Sequence, residues 1–204
     1  LAEICVRLAQ NCLMHALQKQ FGQPVGESSG APQQMLVIGM GKLGGGELNV
    51  SSDIDLIFVY AEDGETQAMA GQTEIRSLSN HEFFTRLGRR LINLIHEPTA
   101  DGYVFRVDMR LRPYGDSGPL VMSFAALEEY LVSQGREWER YAWIKARVIS
   151  PEQHASTAEL MQLAQPFVFR KYLDFGAIDS MRKLHVQIRQ EVARRDRQNN
   201  IKLG

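Results

Sequence analysis

Residues 35–60 read MLVIGMGKLGGGELNVSSDIDLIFVY, and this stretch decides the fold. MLVIG is a short apolar run that suits a buried strand. DIDLIFVY, residues 53–60, reads as a second strand, and the glycine-rich link between them has room for about one helical turn. Alternate side chains of a strand share a face. Asp53 and Asp55 therefore point the same way, with Ile54, Leu56 and Phe58 on the opposite side. Two carboxylates on one face of an apolar strand repel each other unless a cation compensates. Hard oxygen ligands at this spacing suit Mg²⁺, which takes one or two carboxylates together with phosphate oxygens.

The glycines invite a different reading. Gly39, Gly41 and Gly44 fit the dinucleotide fingerprint GxGxxG and follow a strand. That fingerprint needs a long helix next and an acidic residue about 20 positions on. Here a new strand begins at Asp53, so no crossover helix fits. A P-loop fails as well, because Lys42 is followed by Leu43 rather than Ser or Thr. What remains is a loop whose amides can approach phosphates closely, with Lys42 as a charge nearby.

Further along, residues 103–113, YVFRVDMRLRP, read as a third strand ended by Pro113. Phe105, Val107, Met109 and Leu111 fall on one face, and Arg106, Asp108, Arg110 and Arg112 on the other. Asp108 is placed to complete a three-carboxylate cluster with Asp53 and Asp55. Arg110 and Arg112 suit phosphate oxygens.

The flanks read as helical. Residues 2–21 carry Ile4, Leu8, Cys12, Leu13, Ala16 and Leu17 at helical spacing, and a Gly/Pro/Ser-rich loop follows. Residues 61–76 form a long polar loop. Ser79 and Glu82 make a capping box for a helix running to about His96. Ser123 caps another helix, residues 135–149 read as a further one, and residues 155–204 as two more with a break around Pro166. Trp138 and Trp143 are expected in the core, and Lys145 and Arg147, two apart on a helix, on different faces. His81 and His96 lack a second ligand at metal spacing, and Arg194, Arg195 and Arg197 suit a solvated face. Few strands among many helices define an α+β domain. Its expected parts are a lead-in over 1–30, a core over 31–150 and a helical extension over 151–204, forming one unit.

Composition narrows the partners. The 204 residues are 44% hydrophobic and 23% charged, as in an ordinary globular domain, and the formal net charge is −1. That charge gives no global field for a nucleic-acid backbone. Cys5 and Cys12 make neither a zinc site nor a disulfide framework, and read as small core residues in a reducing compartment. With no signal peptide and no apolar run near the roughly 18 residues of a membrane span, the expected location is cytoplasmic. The helical start without Met and the ending IKLG read as a segment of a longer protein.

Three blocks together are similar to a known family: GMGKLGGGELNVSSDIDLIFVY, FRVDMRLRPYGDSGPLV and GREWERYAWIKAR. The chain resembles bacterial glutamine synthetase adenylyltransferases, within the DNA polymerase β-like nucleotidyltransferase superfamily. The resemblance implies a small mixed sheet flanked by helices. It implies two Mg²⁺ ions held by Asp53, Asp55 and Asp108, which are then the catalytic residues. Gly44 and Gly45 match the superfamily's glycine pair, and Lys42, Ser52, Arg110 and Arg112 group with them as the nucleotide- and phosphate-binding set. The gap from that pair to Asp53 is shorter than in most superfamily members, so the intervening helix is a stub. SLSNHEFFTRLGRRLI and FVFRKYLDFGAIDSMR resemble the deadenylylating half of the bifunctional enzyme. The resemblance thus implies removal of AMP from adenylyl-tyrosine of glutamine synthetase by phosphorolysis, giving ADP. It also implies a PII signalling protein as partner, and no nucleic acid or membrane. The rivals are the forward transfer of AMP from ATP, a nucleotide-binding regulatory module without turnover, and an RNA-terminal nucleotidyltransferase, against which the near-neutral charge argues.

Overall fold

The computed structural model describes residues 1–72, 75–100 and 102–169, together with the isolated positions 183, 186 and 187. Its centre is a five-stranded mixed sheet built on β2 (Met35–Gly39) and β3 (Ile54–Tyr60). These two run antiparallel with Gly39 opposite Leu56, and β2 pairs on its other side with antiparallel β7 (Arg147–Ser150). The free edge of β3 takes two short parallel strands in succession. β5 (Val107–Asp108) pairs with its start and β6 (Val121–Ser123) with its end. A separate two-stranded ribbon joins β1 (Gln23–Pro24) to β4 (Thr66–Gln67), so the polar stretch 61–76 is partly ordered by pairing.

Both faces of the sheet are covered, which is why β2 and β3 are apolar at nearly every position. Met35, Val37, Ile54, Leu56, Phe58 and Tyr60 pack beneath α1 (Ala2–Phe21) and α3 (Asn80–His96). Leu36, Ile38, Ile57 and Val59 pack beneath α4 (Phe124–Ser133), α5 (Glu137–Trp143) and α6 (Ser156–Val168). Each fully buried large side chain contributes about 1.5–3 kcal/mol of transfer free energy. The arrangement is the expected α+β nucleotidyltransferase-type core. The N-terminal helix is part of it, since Val6, Leu17 and Phe21 share one cluster with the sheet.

Local chemistry sets the helix ends. Ser79 Oγ accepts the amide of Glu82 at 3.1 Å, while the Glu82 carboxylate turns to Arg86 at 2.5 Å, so the expected box is made on its serine side. Asn80, fully buried, donates to Val25 O and Glu62 O at 2.9 and 3.0 Å and ties the start of α3 to two loops. Ser123 caps α4 through Ala126 N. In the second layer the Tyr130 hydroxyl donates to buried Glu139 at 2.5 Å, and Arg140 donates to Phe167 O at 2.8 Å, which locks α4, α5 and α6 together.

Several expectations need correction. The buried stripe of α1 is Ala2, Val6, Gln10, Leu17 and Phe21, whereas Ile4, Leu8 and Cys12 are exposed. Their helical spacing was right but its phase was wrong, because Gln10 is buried by donating to Met35 O at 2.6 Å. The strand expected over 103–113 contracts to Val107–Asp108, since the chain turns at Met109 when Arg112 N bonds Met109 O. The helix expected over 135–149 stops at Trp143, and its β-branched end becomes β7. Trp143 is in the core as expected, but Trp138 is 37% exposed. α6 carries Pro166 in its last turn. The second C-terminal helix and Arg194, Arg195 and Arg197 lie outside the described residues. Among the described residues no helix is long and apolar enough to cross a membrane.

Candidate functional site

The three acids sit at the end of the sheet where β2 finishes and β3 begins. Asp55 and Asp108 are cross-strand partners in the parallel pair of β3 and β5, so their side chains leave the same face. Asp53 lies just before β3, two residues from Asp55. Ile54 and Val107, the adjacent pair, turn to the opposite face and into the α1/α3 core. The core thus fixes the register, and the register places the acids side by side. His96, at the end of α3, holds this edge: its Nδ1 accepts the amide of Val107 at 2.9 Å.

Each outer acid has an arginine from its own neighbourhood. Arg106 Nε lies 2.7 Å from Asp53 Oδ1, and Arg106 Nη2 donates to Ser51 O at 3.0 Å. Arg110 grips Asp108 with Nε at 2.9 and 3.1 Å from the two oxygens, Nη2 at 2.5 Å and the backbone amide at 2.8 Å. Hydrogen bonding to Asp108, then its charge, raises the Arg110 pKa, and Asp116 and Asp55 add to the same field. Arg112 faces elsewhere. Its side chain, 12% exposed, donates to Met109 O and Asp116 O at 2.9 and 3.2 Å and closes the turn after β5. It builds the loop rather than standing open to phosphate as the sequence suggested. Tyr114, in the same turn, has a φ of 62°, which is unusual for a side chain other than glycine.

The glycine loop lies against these acids. The helical stub is α2 (Gly41–Gly44), as the short gap required. Gly41 has a φ of 54°, and a Cβ there would stand 3.3 Å from Asp55 Oδ2, so glycine is needed for both conformation and closeness to the acid. Gly44 is glycine for another reason: its added Cβ would lie 2.0 Å from Lys145 O and 2.4 Å from Gly39 O. It is buried packing, not an open approach to a ligand. Gly45 is exposed, with Lys145 Cδ the nearest neighbour of an added Cβ at 3.2 Å. Lys42 and Ser52 are partly buried in the same loop, and Ser52 N bonds Asn49 O at 3.0 Å.

Two residues that the sequence left undecided converge on this loop. Arg147, at the start of β7, donates through Nε to Gly44 O at 3.0 Å and through Nη2 to Leu43 O at 3.3 Å, and is neutralised by Glu3 of α1 at 2.6 Å. Lys145 Nζ meets Glu47 Oε2 at 2.7 Å across the loop mouth. Read as helix positions they could not share a site. Because the helix ends at Trp143, both flank the glycines.

The donor chemistry fits a hard divalent cation. Asp55 and Asp108 leave one face, Asp53 stands just before β3, and Gly41 passes close to Asp55. The Asp53 Oδ1 atom is buried and receives no directed hydrogen bond, because Arg106 Nε meets it off the N–H axis. The side chains do not, however, close into a cage. Among the described residues no group of three or more His, Cys, Asp or Glu is placed to hold a metal ion. The guanidiniums beside Asp53 and Asp108 are the structural counterpart: positive charge is already supplied, from the protein.

A helix-clad mixed sheet with a glycine loop against an Asp-x-Asp strand, and a lone Asp on the parallel neighbour, defines a nucleotidyltransferase-type domain. The chain matches the glutamate-ammonia ligase adenylyltransferase family over residues 1–162 and belongs to that family. It is 65% identical over 204 residues to a protein of Chromobacterium violaceum named bifunctional glutamine synthetase adenylyltransferase/adenylyl-removing enzyme, covering 100% of this chain and 22% of that protein. Proteins of the same name from Aromatoleum aromaticum and Pseudomonas aeruginosa are 61% and 57% identical, again over 100% of this chain and over 21% and 20% of their own lengths. The chain therefore spans about a fifth of the length of these relatives.

Proposed function

We propose that this domain removes AMP from an adenylylated tyrosine of glutamine synthetase by phosphorolysis, releasing ADP. The observation that carries the site is the parallel register of Asp55 with Asp108, which gathers acids from two strands beside the glycine loop. Asp53, Asp55 and Asp108 would hold Mg²⁺, expected as two ions. When bound, the metal supplies positive charge to the phosphoryl oxygens and to the departing phenolate. The chain's own groups do the rest. Arg110 reaches the space beside Asp108 with a forked donor that matches a phosphate edge. Lys42 and Lys145, beside the exposed Gly45, offer donors to the nucleotide phosphate, while the Gly45 amide is held by Gly41 O at 3.1 Å. Arg147 keeps that loop in place through the carbonyls of Leu43 and Gly44.

In the reaction, an oxygen of inorganic phosphate forms a bond to the AMP phosphorus while the bond from phosphorus to the tyrosine oxygen breaks. The phenolate then takes a proton from water. Phosphate is already an anion, so no strong general base is required. Tyrosine's ordinary pKa near ~10 makes the phenolate a workable leaving group. The removing direction rests on the resemblance of residues 77–92 and 167–182 to that half of the bifunctional enzyme. The same resemblance brings a PII signalling protein as regulatory partner.

The test is a product assay with adenylylated glutamine synthetase, Mg²⁺ and labelled phosphate, using the full-length enzyme with any second catalytic domain disabled. Label in the β position of ADP supports phosphorolysis. Unlabelled AMP means hydrolysis, and AMP transfer from ATP to unmodified synthetase without labelled ADP means the adenylylating direction. Asp53→Asn and Asp55→Asn should each abolish Mg²⁺-dependent turnover while thermal unfolding stays cooperative. Wild-type turnover in either variant at saturating Mg²⁺ refutes the metal assignment.

A further inference from the structure

The two acid–arginine pairs are unequal in a useful way. Asp53 and Asp108 are the sheltered members, with side chains 29% and 15% exposed, whereas Arg106 and Arg110 are 53% and 74% exposed. The carboxylates are fixed by the sheet register. The guanidiniums hang on long stems over solvent and can re-aim without moving a core atom. A carboxylate has about four lone-pair positions. Arg110 alone directs its Nε, its Nη2 and its backbone amide at Asp108. A guanidinium fork and a hard dication need the same lone pairs, so one excludes the other or weakens it.

We propose that Arg106 and Arg110 are internal counter-cations that compete with divalent metal for Asp53 and Asp108, and that a nucleotide phosphate relieves this competition by taking up the released guanidiniums. The proposal rests on the metal reading of the site given above. It explains why the acids are gathered yet form no cage of their own. It also makes metal and nucleotide mutually assisting ligands: the anion draws the arginines off the acids, and the metal leaves the arginines available to the anion. By linkage, each must raise the affinity of the other by the same factor.

The experiment is Mn²⁺ titration followed by electron paramagnetic resonance, with and without AMP, which itself holds Mn²⁺ only weakly. Wild type, Arg106→Gln, Arg110→Gln and Asp53→Asn are compared, with thermal melts of each. Without AMP, each Gln variant should bind Mn²⁺ about two- to five-fold tighter than wild type, the range expected when a competitor of surface-ion-pair strength is removed. AMP should tighten Mn²⁺ binding in wild type and do so less in the two Gln variants. Arg106→Lys, which keeps the charge but loses the Nε contact, should fall between wild type and Arg106→Gln. The exposed position of Arg110 makes its variant the safer one to fold, and it tests the idea alone if Arg106→Gln does not. Unchanged or weaker Mn²⁺ binding in the Gln variants, with binding lost in Asp53→Asn, overturns the competition and leaves the metal site standing. Wild type that binds no Mn²⁺, or binding indifferent to Asp53→Asn, overturns the metal reading and this proposal with it.

Discussion

Gly44 and Gly45 are adjacent, yet a methyl group should act on them in opposite ways. At Gly44 an added Cβ lies 2.0 Å from Lys145 O and 2.4 Å from Gly39 O, about 1.0 and 0.6 Å inside the 3.0 Å that real Cβ contacts respect. Both obstacles are backbone carbonyls, one at the end of β2 and one just before β7, and these two strands pair with each other. Neither can yield like a side-chain tip, so α2 must lift off the sheet. Lifting it also strains the Arg147 bond to Gly44 O. Overpacking of this kind costs about 1–3 kcal/mol, and rigid obstacles put Gly44→Ala at the upper end. For a chain of this size that is a melting temperature lower by about 6–12 °C. Gly45 has helical backbone angles, φ −74° and ψ −5°, and its nearest obstacle is the flexible Lys145 Cδ at 3.2 Å. Gly45→Ala should therefore melt at or slightly above wild type, since alanine there gains about 0.4–1 kcal/mol through the unfolded chain. The assay pairs thermal unfolding with AMP binding. Gly45→Ala should weaken AMP binding without lowering stability, because the methyl crowds the loop mouth beside Lys145, the lysine proposed to meet phosphate. A Gly44→Ala protein melting within about 2 °C of wild type would refute the packing argument.

Three further outcomes follow from individual contacts. Hydrogen bonding from Arg147 is the main cause that holds Glu3 below its ordinary carboxyl pKa of 4.5. A depressed folded value means that this stabilisation is present above pH 4.5 and fades as pH falls through the folded value, so the gap in thermal stability between wild type and Glu3→Gln should hold at neutral pH and close below 4.5. His96→Ala removes the acceptor of the Val107 amide. It should lower the urea-derived stability by about 0.5–1.5 kcal/mol and speed hydrogen exchange at Val107, and unchanged exchange there would show that His96 does not hold the β5 edge. Tyr130→Phe leaves Glu139, 3% exposed, without the hydroxyl at 2.5 Å. It should cost about 1.5–3 kcal/mol, as for a bond to a charged group, and a loss under about 0.5 kcal/mol would mean that the Arg136 amide, which donates to the other Glu139 oxygen at 2.8 Å, alone satisfies that carboxylate.

Much of the frame was legible because its signals are local. MLVIG and the LIFVY that follows Asp55 are apolar on both faces, which suits covered strands, and the eight residues after Gly44 leave no space for a crossover helix. Ser79 and Ser123 announced their helices by side-chain chemistry that needs no tertiary partner. The face of α1 was misjudged because periodicity gives a helix's phase only through hydrophobicity. Here the buried position is Gln10, whose amide finds a carbonyl on β2, while Ile4 and Leu8 stay outside. No count of apolar residues could report a polar side chain satisfied by a strand 25 positions away.

The site shows the same division more sharply. Asp108 was read onto the face of Asp53 and Asp55 from the alternation of residues 105–112, yet the strand that realises it is two residues long. The inference reached the right face because it needed only one step of that alternation, from Val107 in the core to Asp108 beside Asp55. It failed where it needed more steps. Arg110 bends back onto Asp108, and Arg112 closes a turn with Asp116, since the chain leaves the edge of β3 after β5 and rejoins it only at Val121. Arg147 stays undecided in the sequence for the complementary reason. GREWERYAWIKARVI scans as one helix throughout, and what gives its last residues to a strand is pairing with β2, a contact across more than a hundred residues. The β-branched pair Val148 and Ile149 was the available signal, and it marked a strand that carries Arg147 to the carbonyls of Leu43 and Gly44. The acids can be found from the strand that bears them. The cations around them are placed by where the chain turns, and that is decided by the sheet as a whole.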